Sequence, residues 1–181
     1  MQAQSECPSL IELSDLPYID AEGQLPSQFE GKIGVYAIYN ADKVLAYIGY
    51  SRDVSLSLKQ HIVRQPQQCF WVKVTTVERP NRTLLETIKA AWIEENGAVP
   101  VGNGDAATLW EQPIDVKSQM LPEESVQYAD PQLDDLQHQR ILKQAARRIE
   151  QNILDLLAER GARETLRFNP KLKDSGLLDL K

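Results

Sequence analysis

Two short β-rich runs with a polar break between them are the feature that most limits the fold of this chain. Residues 33–39 and 44–50 are rich in β-branched and aromatic side chains. The intervening residues 40–43, Asn-Ala-Asp-Lys, are typical of a turn. Strands separated by so short a connection pair in the antiparallel direction. The sequence therefore predicts an antiparallel hairpin over residues 33–50.

Helical and extended patterns alternate after this hairpin. A helix is predicted to follow a cap at Ser51 or Asp53 and to end before Pro66. A third strand is predicted over residues 69–77, and a second helix runs from the Asn81 region to the Asn-Gly pair at residues 96–97. The sequence thus predicts a third strand and two helices after the hairpin.

The chain divides into four segments by its composition. Residues 1–30 predict an irregular lead-in, and 31–104 contain the strands and helices described above. Residues 105–135 are acidic and rich in proline, which predicts an irregular connection. In residues 136–181 we expect a helical extension and a tail, with an amphipathic helix over 138–160.

Bulk properties narrow the classes of function. The net charge of −6 disfavours nucleic acid as a partner, although basic residues in the helical extension leave it open. The two cysteines have no metal-ligand spacing. No apolar run is long enough for a membrane span, and the first residues lack the pattern of a signal peptide, so we expect a cytoplasmic protein without membrane insertion.

The hairpin carries two tripeptides, Gly34-Val35-Tyr36 and Tyr47-Ile48-Gly49, and a Val-Pro-Val-Gly-Asn run ends at Asn103. With the order of the predicted elements, these motifs resemble the GIY-YIG endonuclease superfamily over roughly residues 30–104. The resemblance implies an α+β fold, in which a small three-stranded antiparallel sheet is flanked by helices, and the amphipathic helical extension follows it. The run over residues 49–58 also resembles a cyanobacterial and plastid branch of that superfamily.

The resemblance implies a site that hydrolyses phosphodiesters with one divalent cation, Mg²⁺ or Mn²⁺. It implies that Tyr36 and Tyr47 lie beside the reacting water and phosphate, that His61 acts as or assists the base, and that Glu86 ligates the metal. Gly34, Gly49 and Asn103 are implied as structural motif residues. Each has an ordinary alternative: the tyrosines as sheet residues, His61 as a core or surface histidine, and Glu86 as an exposed helix carboxylate.

Ser57 occupies the position at which the family has an arginine. A guanidinium offers a fixed positive charge and paired donors to a phosphate, which one hydroxyl cannot replace. Loss of such a group costs about 10² to 10³ in rate. Arg52 is a candidate substitute from elsewhere in the segment.

We therefore expect a catalytically impaired, degenerate nuclease-like domain that acts as a binding or assembly module, with a protein partner at the 138–160 helix. The alternative is a slow metal-dependent endonuclease, a hydrolase that acts on DNA or RNA. A third alternative is a small phosphorylated ligand held by Tyr36, Tyr47, Arg52 and His61. No cofactor is certain from the sequence.

Overall fold

The structure is a computed structural model that describes residues 7–181. The chain separates into two compact units, Met1–Glu111 and Gln112–Lys181, which we call unit 1 and unit 2 and describe separately. Within residues 7–181, no helix has the length and apolar character needed to cross a membrane.

Unit 1 is an α+β unit in which a sheet lies between two helices. A short 3-10 turn, Leu10–Glu12, precedes the sheet, and a second, Val101–Asn103, precedes α3. The strands are β1 (Leu16–Pro17), β2 (Ile33–Tyr39), β3 (Leu45–Ser51) and β4 (Trp71–Val77), and the helices are α1 (Val54–Arg64), α2 (Arg82–Asn96) and α3 (Ala107–Glu111).

Local capping explains where the two main helices of unit 1 begin. The Asp53 carboxylate accepts a hydrogen bond from the Leu56 N–H at 3.1 Å, which caps α1. The Asn81 side chain accepts one from the Leu84 N–H at 3.1 Å in the same way for α2. Gly97 ends α2 with a φ of 78°, a left-handed conformation that glycine adopts without strain. The hairpin and both helices predicted for this region are confirmed.

The sheet has the strand order β1-β4-β2-β3, and every pairing is antiparallel. The predicted three-stranded sheet is therefore too small by one strand. The missed strand, β1, contributes only Leu16 and Pro17, and proline is tolerated there because β1 lies at a sheet edge. So short a run carries no alternating pattern that a sequence could reveal.

The two faces of the hairpin β2–β3 receive different helices. Tyr36 pairs with Gly49, and Tyr36 contacts His61 of α1 on one face. Val35 pairs with Tyr50 on the other face, where α2 packs. The core on the α2 side consists of the following buried residues: Leu10, Val35, Ala37, Leu45, Ile48, Leu85, Ile88 and Trp92.

Unit 2 is built around one long helix. Its elements are β5 (Ile114–Asp115), a 3-10 turn (Val116–Gln119), α4 (Pro122–Tyr128), α5 (Asp135–Glu159), α6 (Pro170–Asp174) and β6 (Leu177–Leu178). Strands β5 and β6 pair in the antiparallel direction. Asp134 caps α5 by accepting a hydrogen bond from the Gln137 N–H at 2.7 Å. The long C-terminal helix predicted from the sequence is confirmed.

The prediction of an irregular connection over 105–135 is wrong for much of that segment, which contains α3, β5, a 3-10 turn and α4. Pro122 begins α4, a position where its fixed φ suits a helix and no N–H is needed. Helix α3 has five residues and α4 has seven, which is too few to show a clear apolar period in the sequence.

The apolar stripe of α5 is covered inside unit 2. Its buried members are Leu142, Ala145, Ala146, Ile149, Ile153 and Leu157. Helices α4 and α6, the 3-10 turn and β6 pack against α5. The expected protein partner at 138–160 therefore cannot use this stripe while unit 2 is folded, and only the polar faces of α5 remain for a partner.

Candidate functional site

Four aromatic side chains of unit 1 form a buried cluster on the α1 side of the sheet. They are Tyr36 of β2, Tyr47 of β3, His61 of α1 and Trp110 of α3. Each exposes at most 5% of its surface. The Tyr36 hydroxyl lies 2.9 Å from His61 Nε2. Ring centroids of Tyr47 and His61 are 4.7 Å apart.

Strand alternation brings the two tyrosines to one face. Tyr36 is opposite Gly49, and Tyr47 is opposite Ile38, so all four positions face α1. Gly49 leaves the space that the rings occupy. A Cβ at Gly49 would lie 2.6 Å from the Tyr36 hydroxyl and 2.7 Å from Tyr47 Cε1. Glycine is therefore required here for close approach.

Trp110 closes the cluster. Its ring stacks on that of Tyr47, with centroids 5.0 Å apart and an interplanar angle of 5°. The Arg64 Nη1 group donates to the Trp110 carbonyl at 2.8 Å, which ties α1 to α3. Gly102 admits the indole, because a Cβ there would lie 2.8 Å from Trp110 Nε1.

Asn103 fixes the backbone beside the cluster. Its side-chain oxygen accepts from the Ile48 N–H, and its amide nitrogen donates to the Ile48 carbonyl, both at 2.7 Å. The side chain thus satisfies both backbone groups of Ile48 on the outer edge of β3. The sequence predicted Asn103 as a structural motif residue, and both of its side-chain hydrogen bonds go to the backbone of Ile48.

Burial controls the protonation of the cluster. Burial, and less strongly the nearby Arg64 charge, lower the pKa of His61 to about 3. The imidazole is therefore neutral at pH 7. Its Nδ1 atom is buried, and no group in residues 7–181 lies at the distance and angle of a hydrogen bond from it. Burial also raises the pKa of Tyr36 and of Tyr47, so both hydroxyls keep their protons.

Ser57 has a local structural role. Its hydroxyl donates to Ser51 Oγ at 2.7 Å, and Ser51 Oγ accepts from the Asp53 N–H at 3.0 Å. These bonds connect the end of β3 with the first turn of α1. Ser57 also lowers the pKa of Tyr36 by a hydrogen bond, against the larger effect of burial. It brings no charge to the cluster.

Glu86, the predicted metal ligand, belongs to the other face of the sheet. It is exposed, accepts from Arg82 Nε at 2.8 Å and from the Tyr50 hydroxyl at 3.2 Å, and Tyr50 faces α2. The Arg82 and Tyr50 hydrogen bonds lower the pKa of Glu86. Arg52, the predicted substitute for the family arginine, lines a cleft with Tyr50 and Arg82. The structure therefore brings Tyr36, Tyr47 and His61 together, whereas Glu86 makes its contacts on the other face of the sheet.

Metal-binding groups are sparse in the part of the chain that the structure describes. Among residues 7–181, no three His, Cys, Asp or Glu side chains are close enough to hold an ion together. The catalytic roles of Tyr36, Tyr47 and His61 and the metal-binding role of Glu86 stay predictions.

The two cysteines differ in accessibility. Cys69 is fully buried just before β4, and Cys7 is exposed. Partial burial, followed by the charge of Glu95, raises the pKa of the Cys7 thiol. Because the thiolate is the reactive form, a raised pKa reduces the reactivity of Cys7 at pH 7.

Trp110 and Arg64 are residues of the site that the sequence did not indicate, and Gly102 entered only as part of the run that ends at Asn103. Trp110 lies in a segment predicted to be irregular, where a large aromatic residue among acidic neighbours was the only signal. Nothing in the spacing of Arg64 or Gly102 connects them with Tyr47.

Comparison with known proteins finds a similarity over about half of the chain. No family model matches the chain. The chain is 37% identical over 99 residues to the chloroplastic bifunctional monothiol glutaredoxin-S16 of Arabidopsis thaliana. The match takes in 52% of this chain and spans 32% of the length of that protein.

This similarity corrects the predicted family. It leads to a protein named as a monothiol glutaredoxin, and not to the GIY-YIG endonuclease superfamily or its cyanobacterial and plastid branch. The interpretations as a degenerate nuclease-like module and as a slow endonuclease, a hydrolase, are corrected with it. Their basis was two tripeptides, the runs over residues 49–58 and 99–103, and an element order, and short motifs of this kind occur in many unrelated proteins.

Proposed function

We propose that this chain acts in a redox process as a domain that associates with a monothiol glutaredoxin and does not itself supply the reactive thiol. One observation carries the proposal: half of the chain is similar to a protein named as a bifunctional monothiol glutaredoxin, while neither of its own cysteines is placed as a reactive group.

The state of each thiol supports the second part of the proposal. A glutaredoxin thiol attacks a disulfide as an accessible thiolate. Cys69 has no exposed surface, and the pKa of Cys7 is raised rather than lowered. A helix N-terminus or a cationic neighbour would lower a thiol pKa. Among residues 7–181, Cys7 has neither: it precedes a three-residue 3-10 turn, and the charge of Glu95 raises its pKa.

The word bifunctional in the name of the relative supports the first part. This chain spans 32% of that protein, so it is similar to one portion of a larger molecule. We infer that the portion shared with this chain contributes binding, and that the thiol chemistry is supplied by another domain or chain.

The exposed side of α5 is the partner surface that we propose. Arg140 and Arg147 are exposed and stand seven residues apart, two turns along one face of the helix. Neither makes a hydrogen bond or ion pair with any residue between 7 and 181. The other basic residues of α5 are engaged within unit 2, since Arg148 binds Glu124 and Lys143 binds Asp174. The proposed partner therefore presents an acidic surface.

Thiol chemistry is tested by measuring reduction of a glutathione mixed disulfide by the full chain beside a purified monothiol glutaredoxin. We expect the chain to show no turnover above the uncatalysed rate, with or without Cys7→Ser. Turnover that disappears in Cys7→Ser would make the chain itself the oxidoreductase and overturn the proposal.

Association is tested by calorimetric titration of the chain with the same glutaredoxin. We expect saturable binding that weakens at least about tenfold in the double variant Arg140→Glu/Arg147→Glu. The matched control is Arg163→Glu/Arg167→Glu, which makes the same charge change outside α5. Absence of binding by the unaltered chain, or equal weakening in both double variants, would contradict the proposed partner or surface.

A further inference from the structure

A cleft on the α2 side of the sheet gathers positive charge in an acidic protein. The cleft has a volume of about 580 Å³ and lies where β2 begins, β3 ends and α2 begins. Its lining residues are Ile33, Tyr50, Ser51, Arg52, Pro80, Asn81, Arg82 and Leu85. The chain as a whole carries a net charge of −6, so cations grouped at one cleft are unusual for this protein and indicate a candidate anion site.

The lining of the cleft carries positive charge. Arg52 and Arg82 line the cleft, and the Lys89 ammonium lies 6.0 Å from the Tyr50 ring centroid. Glu86 is not among the lining residues, and it binds Arg82 Nε and the Tyr50 hydroxyl. The charged residues that line the cleft are therefore both cations, Arg52 and Arg82.

The guanidinium groups are available to a ligand. Arg52 makes no hydrogen bond or ion pair with any residue in the described range 7–181. Glu86 binds the Nε atom of Arg82, and the Tyr50 hydroxyl also contacts Arg82, while 83% of the Arg82 side chain stays exposed. Paired N–H groups on arginine match the oxygens of a phosphate.

The rest of the lining is apolar enough to hold an organic group. Ile33 and Leu85 belong to the α2-side core or pack against it, and Pro80 adds a third apolar wall. A ligand that combined an anionic end with an apolar or planar body would contact both kinds of surface.

We propose that this cleft binds a phosphomonoester through Arg52 and Arg82, with the organic part of the ligand against Ile33, Pro80 and Leu85. The two lining cations, Arg52 and Arg82, match the dianion that a phosphomonoester carries above its second pKa of about 6. A carboxylate has only one negative charge. This inference goes beyond the proposed function and stands on different residues.

The test is a titration of the full ¹⁵N-labelled chain, followed by amide chemical shifts, with phenyl phosphate, inorganic phosphate and benzoate as probes. We expect phenyl phosphate to bind more tightly than inorganic phosphate, since its ring covers apolar surface. Benzoate should bind at least about tenfold more weakly than phenyl phosphate. The affinity for phenyl phosphate should fall as the pH is lowered from 8 to 5, because the ligand becomes a monoanion.

Arg52→Gln and Arg82→Gln should each weaken the binding of phenyl phosphate about tenfold. Arg163→Gln makes the same charge change in unit 2 and should leave the affinity unaltered. The proposal is overturned by absence of saturation, by equal loss in Arg163→Gln, or by benzoate binding as tightly as phenyl phosphate. Glutaredoxin binding in the same variants reports separately on the proposed function, because that partner surface lies on α5.

Discussion

The two faces of the β2–β3 hairpin differ in how they use aromatic and ionisable residues. On the α1 face, Tyr36, Tyr47 and His61 are enclosed beneath Trp110, and their hydroxyl and imidazole groups are kept neutral by burial. On the α2 face, Tyr50 borders an open cleft, and charged side chains surround it.

This difference separates residues that hold the fold from residues that remain available to a ligand. The α1-face cluster has the chemical groups of a reactive site, but its rings pack on one another and the Tyr36 hydroxyl is hydrogen-bonded to His61. The α2-face cleft has fewer fixed contacts and an excess of positive charge. Substitutions in the cluster should therefore change stability, and substitutions in the cleft should change binding.

Trp110→Ala should have the largest effect. Removing a buried tryptophan typically costs about 3 to 5 kcal/mol of unfolding free energy, because a cavity remains beside Tyr47. Urea unfolding monitored by circular dichroism gives the value. Trp71→Ala is the matched control, since Trp71 is only partly buried on β4 and should cost less. An equal cost at both positions would show that Trp110 does not close the cluster.

Gly49→Ala should have the next largest effect. The new methyl group would meet the Tyr36 hydroxyl at 2.6 Å, and overpacking of this kind costs about 1 to 3 kcal/mol. Tyr36→Phe removes that oxygen, so the double variant should lose less stability than the sum of the two single variants. Strict additivity in this double-mutant cycle would contradict the close approach.

His61 should make stability depend on pH. Its folded pKa of about 3 is below the unfolded value of 6.5, so the unfolded chain binds the extra proton first as the pH falls. Stability should decrease between pH 6.5 and 3, by up to about 1.4 kcal/mol per pH unit from this residue. Urea unfolding at pH 7 and pH 5 measures the decrease. His61→Gln should flatten it, and an unchanged pH dependence in that variant would contradict the buried neutral imidazole.

Glu86→Gln should have the smallest effect on stability. Glu86 is exposed and pairs with Arg82, whose side chain is also exposed, so solvent screens the pair. We expect no measurable shift of the urea midpoint. A shift comparable with that of Gly49→Ala would mean that the α2 face contributes to stability as the cluster does.

Part of this architecture follows from neighbouring residues and was predictable. The hairpin at 33–50 is defined by two β-rich runs around a polar turn, and α1 and α2 begin at Asp53 and Asn81, whose side chains accept from backbone N–H groups three residues ahead. Long helices such as α5 show several repeats of an apolar period. Two-residue strands and helices of five to seven residues are too short to show such a repeat. The sequence therefore does not predict β1, α3 or α4.

The function was harder to predict than the secondary structure, because the motifs that pointed to it contain few residues. Two tripeptides account for few residues, and a similarity over 99 residues outweighs them. The resemblance also implies a single site for these residues, whereas the structure divides them between two faces of the sheet.

The sequence by itself determined the elements whose causes are local: the hairpin, the capped helices, the apolar face of α5 and the acidic net charge. Tertiary structure alone decided that Trp110 covers Tyr47, that Glu86 lies on the opposite side of the sheet from Tyr36, and that Arg52 and Arg82 share a cleft. The physical reason is that caps, turns and periodic patterns act over a few residues. Burial, pKa values and the enclosure of a site depend on which distant segments pack against each face.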